Sequence, residues 1–254
     1  MSSTATYTYC VVHREKRPGT LRSVEGVPGA SALRVDPFAP SLWLVTAAIP
    51  IAEYDAQVIQ RRLQDLEWVS QIAVAHQNVV ERFTSMSGAT VIPMKLLTLF
   101  SSLDRAIENM RQRRRQLDGI AKRLRGNDEW GVRIIRQPVA PSTSRTQVLR
   151  PASGVSFLAA KKRARDEALA QAASAAEVAE RAVLALGRFA RETRRQPPPE
   201  GATSPPLVNA ALLVPSTRKV RFRAAVRREA RRCREAGADL TLTGPWPAYN
   251  FIEE

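Results

Sequence analysis

His13 and His76 are the only histidines in the chain, and Cys10 and Cys233 the only cysteines, so chemistry built on imidazole or thiolate would have to use these four side chains. The cysteines lie far apart, with no CxxC or Cys/His cluster beside either, and support neither a disulfide framework nor a zinc site. His76, in AHQNVVERF, falls on a helix beside its apolar face without ligand partners, and reads as a hydrogen-bonded boundary residue. Asp128-Glu129 is a carboxylate pair, but it adjoins a turn and reads as surface groups or a cap rather than an acid/base pair. The chain contains no GxxxxGK phosphate loop, no GxGxxG opening a helix after a strand and no GxSxG nucleophile elbow. With no nucleophile, base and oxyanion donors to assemble, the expectation is a non-enzyme without catalytic residues, metal or cofactor.

The charge is a stronger signal. Lys and Arg number 39 against 24 Asp and Glu, a net +15 that favours anionic partners and says nothing of fold. RQRRR from Arg111, KKRAR from Lys161 and the run from Arg218 to Arg234 could neutralise phosphates. Stacking aromatics are not interleaved with these runs, and no helix-turn-helix or zinc-finger pattern surrounds them. Solvated faces, or docking to an acidic protein surface, are preferred; a basic nucleic-acid-associated protein is the alternative reading.

These residues need elements to hold them. At 254 residues and 44% hydrophobic composition, two domains are expected. TYTYCVVH, Thr6 to His13, reads as a strand, and the Pro-Gly-punctuated stretch after it as turns. LWLVTAAIP is a buried strand, Val58 through Phe83 carries helical periodicity, and TVIPMKLLTLF is a strand bent at Pro93. Ser101-Ser102-Leu103-Asp104 opens a helix to about Leu124, and EWGVRIIRQP is a further strand. The fold class is therefore α+β, with an N-terminal ferredoxin-like sandwich over 1–138, a Pro/Ser/Thr-rich linker or surface loop over 139–152, and a C-terminal α+β domain over 153–254. The longest nearly uncharged run, SLWLVTAAIPIA, is too short to span a bilayer, no signal peptide is read at MSSTATYTYC, and the sparse cysteines suit a reducing cytoplasm.

The C-terminal domain opens on the strongest helical signal, from Ser156 to about Arg194. Leu169, Ala172, Ala176, Ala179, Val183, Leu186 and Ala190 form a heptad seam, read first as an antiparallel helix pair within the domain and second as an intermolecular seam. LVNAALLVP is a buried strand, Ser216 caps a last helix bearing eight arginines and Lys219, and ADLTLT is the closing strand. The tail TGPWPAYNFIE has the composition of a docked segment: Pro245 and Pro247 end the ladder near Thr243, and Trp246, Tyr249 and Phe251 supply apolar area. An internal clamp joining the domains and a direct partner contact are both open.

Gly244, Pro245, Trp246, Pro247, Tyr249 and Phe251 resemble the C-terminal signature of the GvpF/GvpL family of gas vesicle proteins. TYTYCVV, DLEWVSQIAVAHQNVVERF, GATVIPMKLLTLF, LRGNDEWGVRI and SGVSFLAAKKRA resemble further family segments in the same order, so the resemblance covers nearly the whole chain. Two departures stand out: Lys95-Leu96-Leu97 stands where many members carry Arg-Phe-Gly, and Arg14 to Pro40 does not align with a family segment. The resemblance implies a two-domain α+β fold with a ferredoxin-like N-terminal domain and a cytoplasmic, vesicle-associated accessory protein, a minor component. It implies that the partners are the hydrophobic major shell protein, kept from aggregating during nucleation and assembly, and other vesicle accessory proteins. No small-molecule substrate, membrane or nucleic acid is expected.

Overall fold

The computed structural model describes residues 3–19, 24–138, 154–198 and 205–252; the expected linker over 139–152 lies outside them. The chain forms two units: one comprises Met1–Glu129 with Pro245–Glu254, the other Trp130–Gly244.

The first unit opens with strands β1 (Thr4–His13), β2 (Arg34–Ala39) and β3 (Leu42–Pro50), which lead into helices α1 (Ile51–Tyr54), α2 (Ala56–Arg62) and α3 (Leu66–Thr84). Strands β4 (Thr90–Pro93) and β5 (Leu99–Phe100) and helices α4 (Leu103–Gln112) and α5 (Arg114–Leu124) complete its elements before the chain enters β6 (Asn127–Arg136). The sheet runs β2-β3-β1-β4 with β5 also paired to β1, and every pairing is antiparallel. Thus β3 and β4, joined by α1 to α3, flank β1, which is the split βαβ unit of a ferredoxin-like sandwich.

Both faces of this sheet are covered. A bulge between Thr8 and Cys10 brings Tyr9 and Cys10 to the same side, where Tyr7, Val12, Val45, Ala47 and Ile49 pack with Trp68, Ile72, Val79 and Phe83 of α3. The alternate positions Val11, Leu42, Leu44 and Ile92 are buried as well, and α4 and α5, packed on β1, β2 and β4, bury Ala106, Met110 and Leu117. That is why LWLVTAAI is a nearly continuous apolar run rather than an alternating one, and why Thr6 and Thr8 of TYTYCVV are buried as well. Strand β2 escapes a sequence reading because it is an edge strand interrupted by Pro37, with a register shift between Pro37 and Ala39.

The second unit contains β6, then α6 (Gly154–Gly187), β7 (Glu192–Arg195), β8 (Val208–Pro215), α7 (Lys219–Glu235) and β9 (Ala238–Trp246). Its sheet order is β7-β8-β6-β9, so this half carries the complete β-α-β-β-α-β succession with the fourth strand beside the first. Trp130, Val132 and Ile134 of β6 alternate inward against Val208, Ala210 and Leu212 of β8, under Ala179, Val183 and Leu186 of α6 and Phe222, Ala225 and Val226 of α7. The ring of Trp130 lies 5.7 Å from Phe222, with the Lys219 ammonium 5.6 Å from its centroid.

Several boundaries correct the sequence reading. The strand EWGVRIIRQP, assigned to the N-terminal domain, pairs in the second sheet, because its inward side chains complete that core. The expected helix beyond Gly187 gives way to β7, a four-residue edge strand, ETRR, whose charges hide it from an apolar pattern. Ser216 begins a 3₁₀ turn rather than capping α7, whose N-cap is Arg218 without a side-chain cap bond.

TVIPMKLLTLF divides at its bend. The turn from Lys95 to Thr98 is closed by the Thr98 N–H to the Lys95 carbonyl at 3.2 Å, with Leu97 at φ 59°. A β-turn with positive φ at its third residue suits glycine and costs a leucine backbone energy. We therefore expect Leu97→Ala, which keeps the strain and loses contact area, to destabilise the fold more than Leu97→Gly does, by about 1 kcal/mol in a urea titration.

Candidate functional site

The tail signature is the feature most specific to this sequence, and its first half behaves differently from its second. Strand β9 runs on through Pro245 to Trp246, past the stop expected near Thr243, with Gly244 at φ 109°, a conformation L side chains rarely adopt. Gly244, Pro245 and Trp246 are exposed, Trp246 to 42%. Pro247 and Ala248 are then buried, and a 3₁₀ turn at Tyr249–Phe251 is tied by Tyr249 N–H to the Pro247 carbonyl at 2.8 Å.

This turn is packed into the first unit, where the sequence reading put it in the C-terminal domain. Phe251 is fully buried. The buried carboxylate of Glu129 accepts the Asn250 backbone N–H at 3.0 Å and its side-chain amide at 2.5 Å. The Arg123 guanidinium donates to the Phe251 carbonyl at 2.5 Å. Glu129 is thus neither a surface group nor a member of an acid/base pair: it satisfies the backbone of a segment 121 residues away, a role with no local signal in the sequence.

Beside the turn, the Tyr249 ring centroid lies 6.3 Å from that of His76. The Tyr7 hydroxyl accepts the Leu97 N–H at 3.3 Å and is hydrogen-bonded to His76 Nδ1 at 2.9 Å. Tyr9 stacks 4.7 Å from Tyr7, and its hydroxyl accepts the Val27 N–H at 2.9 Å, an approach that a Cβ on Gly26 would block. His76 is therefore a core residue, 2% exposed, and not the boundary residue expected. Burial pushes its pKa down to about 4, against a smaller upward effect of the Met94 backbone. Burial likewise raises the Tyr7, Tyr249 and Cys10 groups and carries Tyr9 to about 12, so the cluster is neutral across the physiological range.

The seam residues separate along α6. Ala179, Val183 and Leu186 lie in the second core and Ala190 packs against it, whereas Ala172 and Ala176 are half-buried and Leu169 is 58% exposed. Ala175 and Ala182 are the buried small residues that the heptad reading omits; the helix turns its core side by 3.6 rather than 3.5 residues per turn. Helix α6 packs on α7 and β8 within the second unit. The basic runs, Arg111 to Arg115 and Lys161 to Arg165, are exposed, as are the arginines of α7. Both cysteines are buried free thiols, and no group of potential metal ligands occurs among the described residues.

Four measurements check this geometry. Phe251→Ala should cost about 3 to 5 kcal/mol in chemical denaturation. Trp246→Ala should cost distinctly less, because its site is open to solvent and leaves no closed cavity. As pH falls below about 6.5 the unfolded chain protonates His76 and the folded chain does not until about 4, so stability drops by roughly 3 kcal/mol over that window. His76→Gln should flatten that acid slope.

The family model for gas vesicle synthesis protein GvpL/GvpF matches residues 5–253. Gas vesicle protein L of Streptomyces sp. (strain CB03234) is 29% identical over 217 residues, covering 82% of this chain and 78% of that protein. The fold is similar to the crystal structure of GvpF from Anabaena sp. PCC7120, with a TM-score of 0.69 and 15% identity over 99% of this chain and 97% of that one. It is also similar to GvpF from Microcystis aeruginosa, with a TM-score of 0.67 and 12% identity over 98% and 99% of the two chains. The exposed and buried halves of the tail signature, and the two sheets that precede it, are therefore those of a member of the GvpL/GvpF family of gas vesicle synthesis proteins, to which this chain belongs.

Proposed function

We propose that this chain is a non-enzymatic accessory or minor component of the gas vesicle that binds the hydrophobic major shell protein and keeps it from aggregating during nucleation and assembly. The observation that carries the reading is the family match over residues 5–253. The physical need is plain: a subunit that will line a gas-filled space exposes apolar surface before assembly, and such surface aggregates unless masked.

The surface supports this reading with apolar side chains left outside both cores. Phe157, Leu158 and Leu169 are exposed on the first half of α6, and Trp246 projects from a tail whose later residues are committed to packing. We assign the partner-facing part of the seam to Leu169, Ala172 and Ala176, and the only tail contact to Trp246. Other vesicle accessory proteins are further partners in this reading, and the place of action is the cytoplasmic vesicle. Among the described residues no helix is long and apolar enough to cross a membrane.

The test is co-expression with the cognate major shell protein, followed by pull-down and a solubility assay at moderate and high salt. Capture that survives high salt and keeps the shell protein soluble is the expected result, with Trp246→Ala and Leu169→Ser reducing it. No capture in either condition, with salt-sensitive retention of duplex DNA instead, would displace this reading in favour of a nucleic-acid role.

A further inference from the structure

We infer that the cleft at the end of β1, between the α3–β4 and α5–β6 loops, binds a compact phosphate-bearing anion of the pyrophosphate or oligophosphate class. The cleft encloses about 630 Å³, within the roughly 300 to 1,000 Å³ usual for small-ligand sites, and all of its lining belongs to the first unit. Arg14 and Lys16 line it from the end of β1, and Arg125 from the end of α5.

The backbone on both sides is fixed. The Arg14 N–H donates to the Ser41 carbonyl at 2.8 Å, and the Arg14 carbonyl accepts the Trp43 indole N–H at 2.9 Å. Ser41 itself holds φ 60°, a strained value for serine, and strain of this kind collects at sites whose geometry must be held. On the other side, the Asn127 amide donates to the carbonyls of Arg123 and Arg125, each at 3.0 Å, and pins the chain as it leaves α5. The charges are left unsatisfied: among the described residues, the side chains of Arg14, Lys16 and Arg125 make no hydrogen bond or ion pair. Gly88 at φ 71° and Gly126 at φ 68° complete the walls, and a Cβ on either would meet no atom within 4 Å, so a ligand can approach their backbone.

Ordinary solvated charge accounts for this cluster less well than for the basic helices. Arg125 follows the C-terminal end of α5, whose dipole suits one cation, but Arg14 and Lys16 belong to no helix. Glu15 also lines the cleft, yet it is exposed and pairs with none of the three; three cations against one carboxylate leave the lining at +2, with His13 neutral. On α6 and α7, by contrast, Arg181 and Arg232 already pair with Glu177 and Glu229.

The lining also selects the ligand. No Phe, Tyr or Trp faces the cleft, so nothing there stacks a base, and recognition falls on the anionic group itself. Cations converging from separate walls suit a tetrahedral phosphate, whose oxygens point in several directions, better than a carboxylate, whose acceptors lie in one plane. Thr90, on the same lining, adds a hydroxyl that can donate. Binding here is independent of the accessory role proposed above.

The test is isothermal titration calorimetry of the full chain with inorganic pyrophosphate at fixed ionic strength, with citrate and a short DNA duplex for comparison. Saturable one-site binding of pyrophosphate, tighter than that of citrate, is expected. Arg14→Gln/Lys16→Gln and Arg125→Gln should each weaken it by about tenfold or more with an unchanged melting temperature, and Arg221→Gln/Arg228→Gln on α7 should leave it as it was. Should Arg125→Gln unsettle the end of α5, the Arg14/Lys16 variant decides. No saturable binding, equal binding of citrate, an equal loss in the α7 variant, or binding of the duplex but not of pyrophosphate would each overturn the assignment.

Discussion

The burial of Phe251, with Asn250 held by Glu129, is the interaction on which the rest of the chain's path depends. The polypeptide leaves the first unit after Glu129, builds a second sheet and core, and returns to the first unit from Pro245 onward. Glu129 is the last residue on the outward path, and it grips the returning segment through two donors. A buried carboxylate without such donors would be costly; supplied with a backbone N–H, an amide and the adjacent Arg123 bond to Phe251, the arrangement is favourable and specific. The signature residues therefore divide into those that pack, Pro247, Tyr249 and Phe251, and those that stay exposed, Gly244, Pro245 and Trp246.

In the neighbouring His76, Tyr7 and Tyr9 cluster the two hydroxyls are buried with partners, whereas His76 Nε2 is buried without one. Its hydroxyls accept backbone N–H groups from Leu97 and Val27, two segments outside regular structure. Irregular chain is thereby fixed by the core rather than by a ladder, and this explains how a leucine can be held at a positive φ where a glycine would fit without strain. The second unit stabilises itself differently, through a small-residue helix face of Ala175, Ala179 and Ala182 that lets α6 settle on the sheet and against α7.

Much of this was legible in the sequence, and the misses share physical causes. The α+β class, the buried strands and the long helix follow from periodicity, because those segments bury apolar side chains at regular intervals. Edge strands did not: β2 with Pro37 and β7 with ETRR are held by backbone pairing, which leaves no apolar pattern. The first half carries the split βαβ arrangement expected of it, whereas the place of β6 was missed, because it is decided by Trp130, Val132 and Ile134 meeting a core formed later in the chain. At the tail, the aromatic residues announced docking, but Glu129 and Arg123 could be found only in three dimensions, since nothing local distinguishes a carboxylate that will meet Asn250.

A surface built this way gives the protein two kinds of apolar residue, those already satisfied internally and those still open, and the account rests on the tail turn being of the first kind. Amide hydrogen exchange on the full chain without any partner tests this most directly. Strong protection of the Asn250 and Phe251 amides, matching that of the core strands, is the predicted result. Free exchange at those amides, with protection appearing only when the shell protein is added, would contradict it and make the tail itself the partner-binding element.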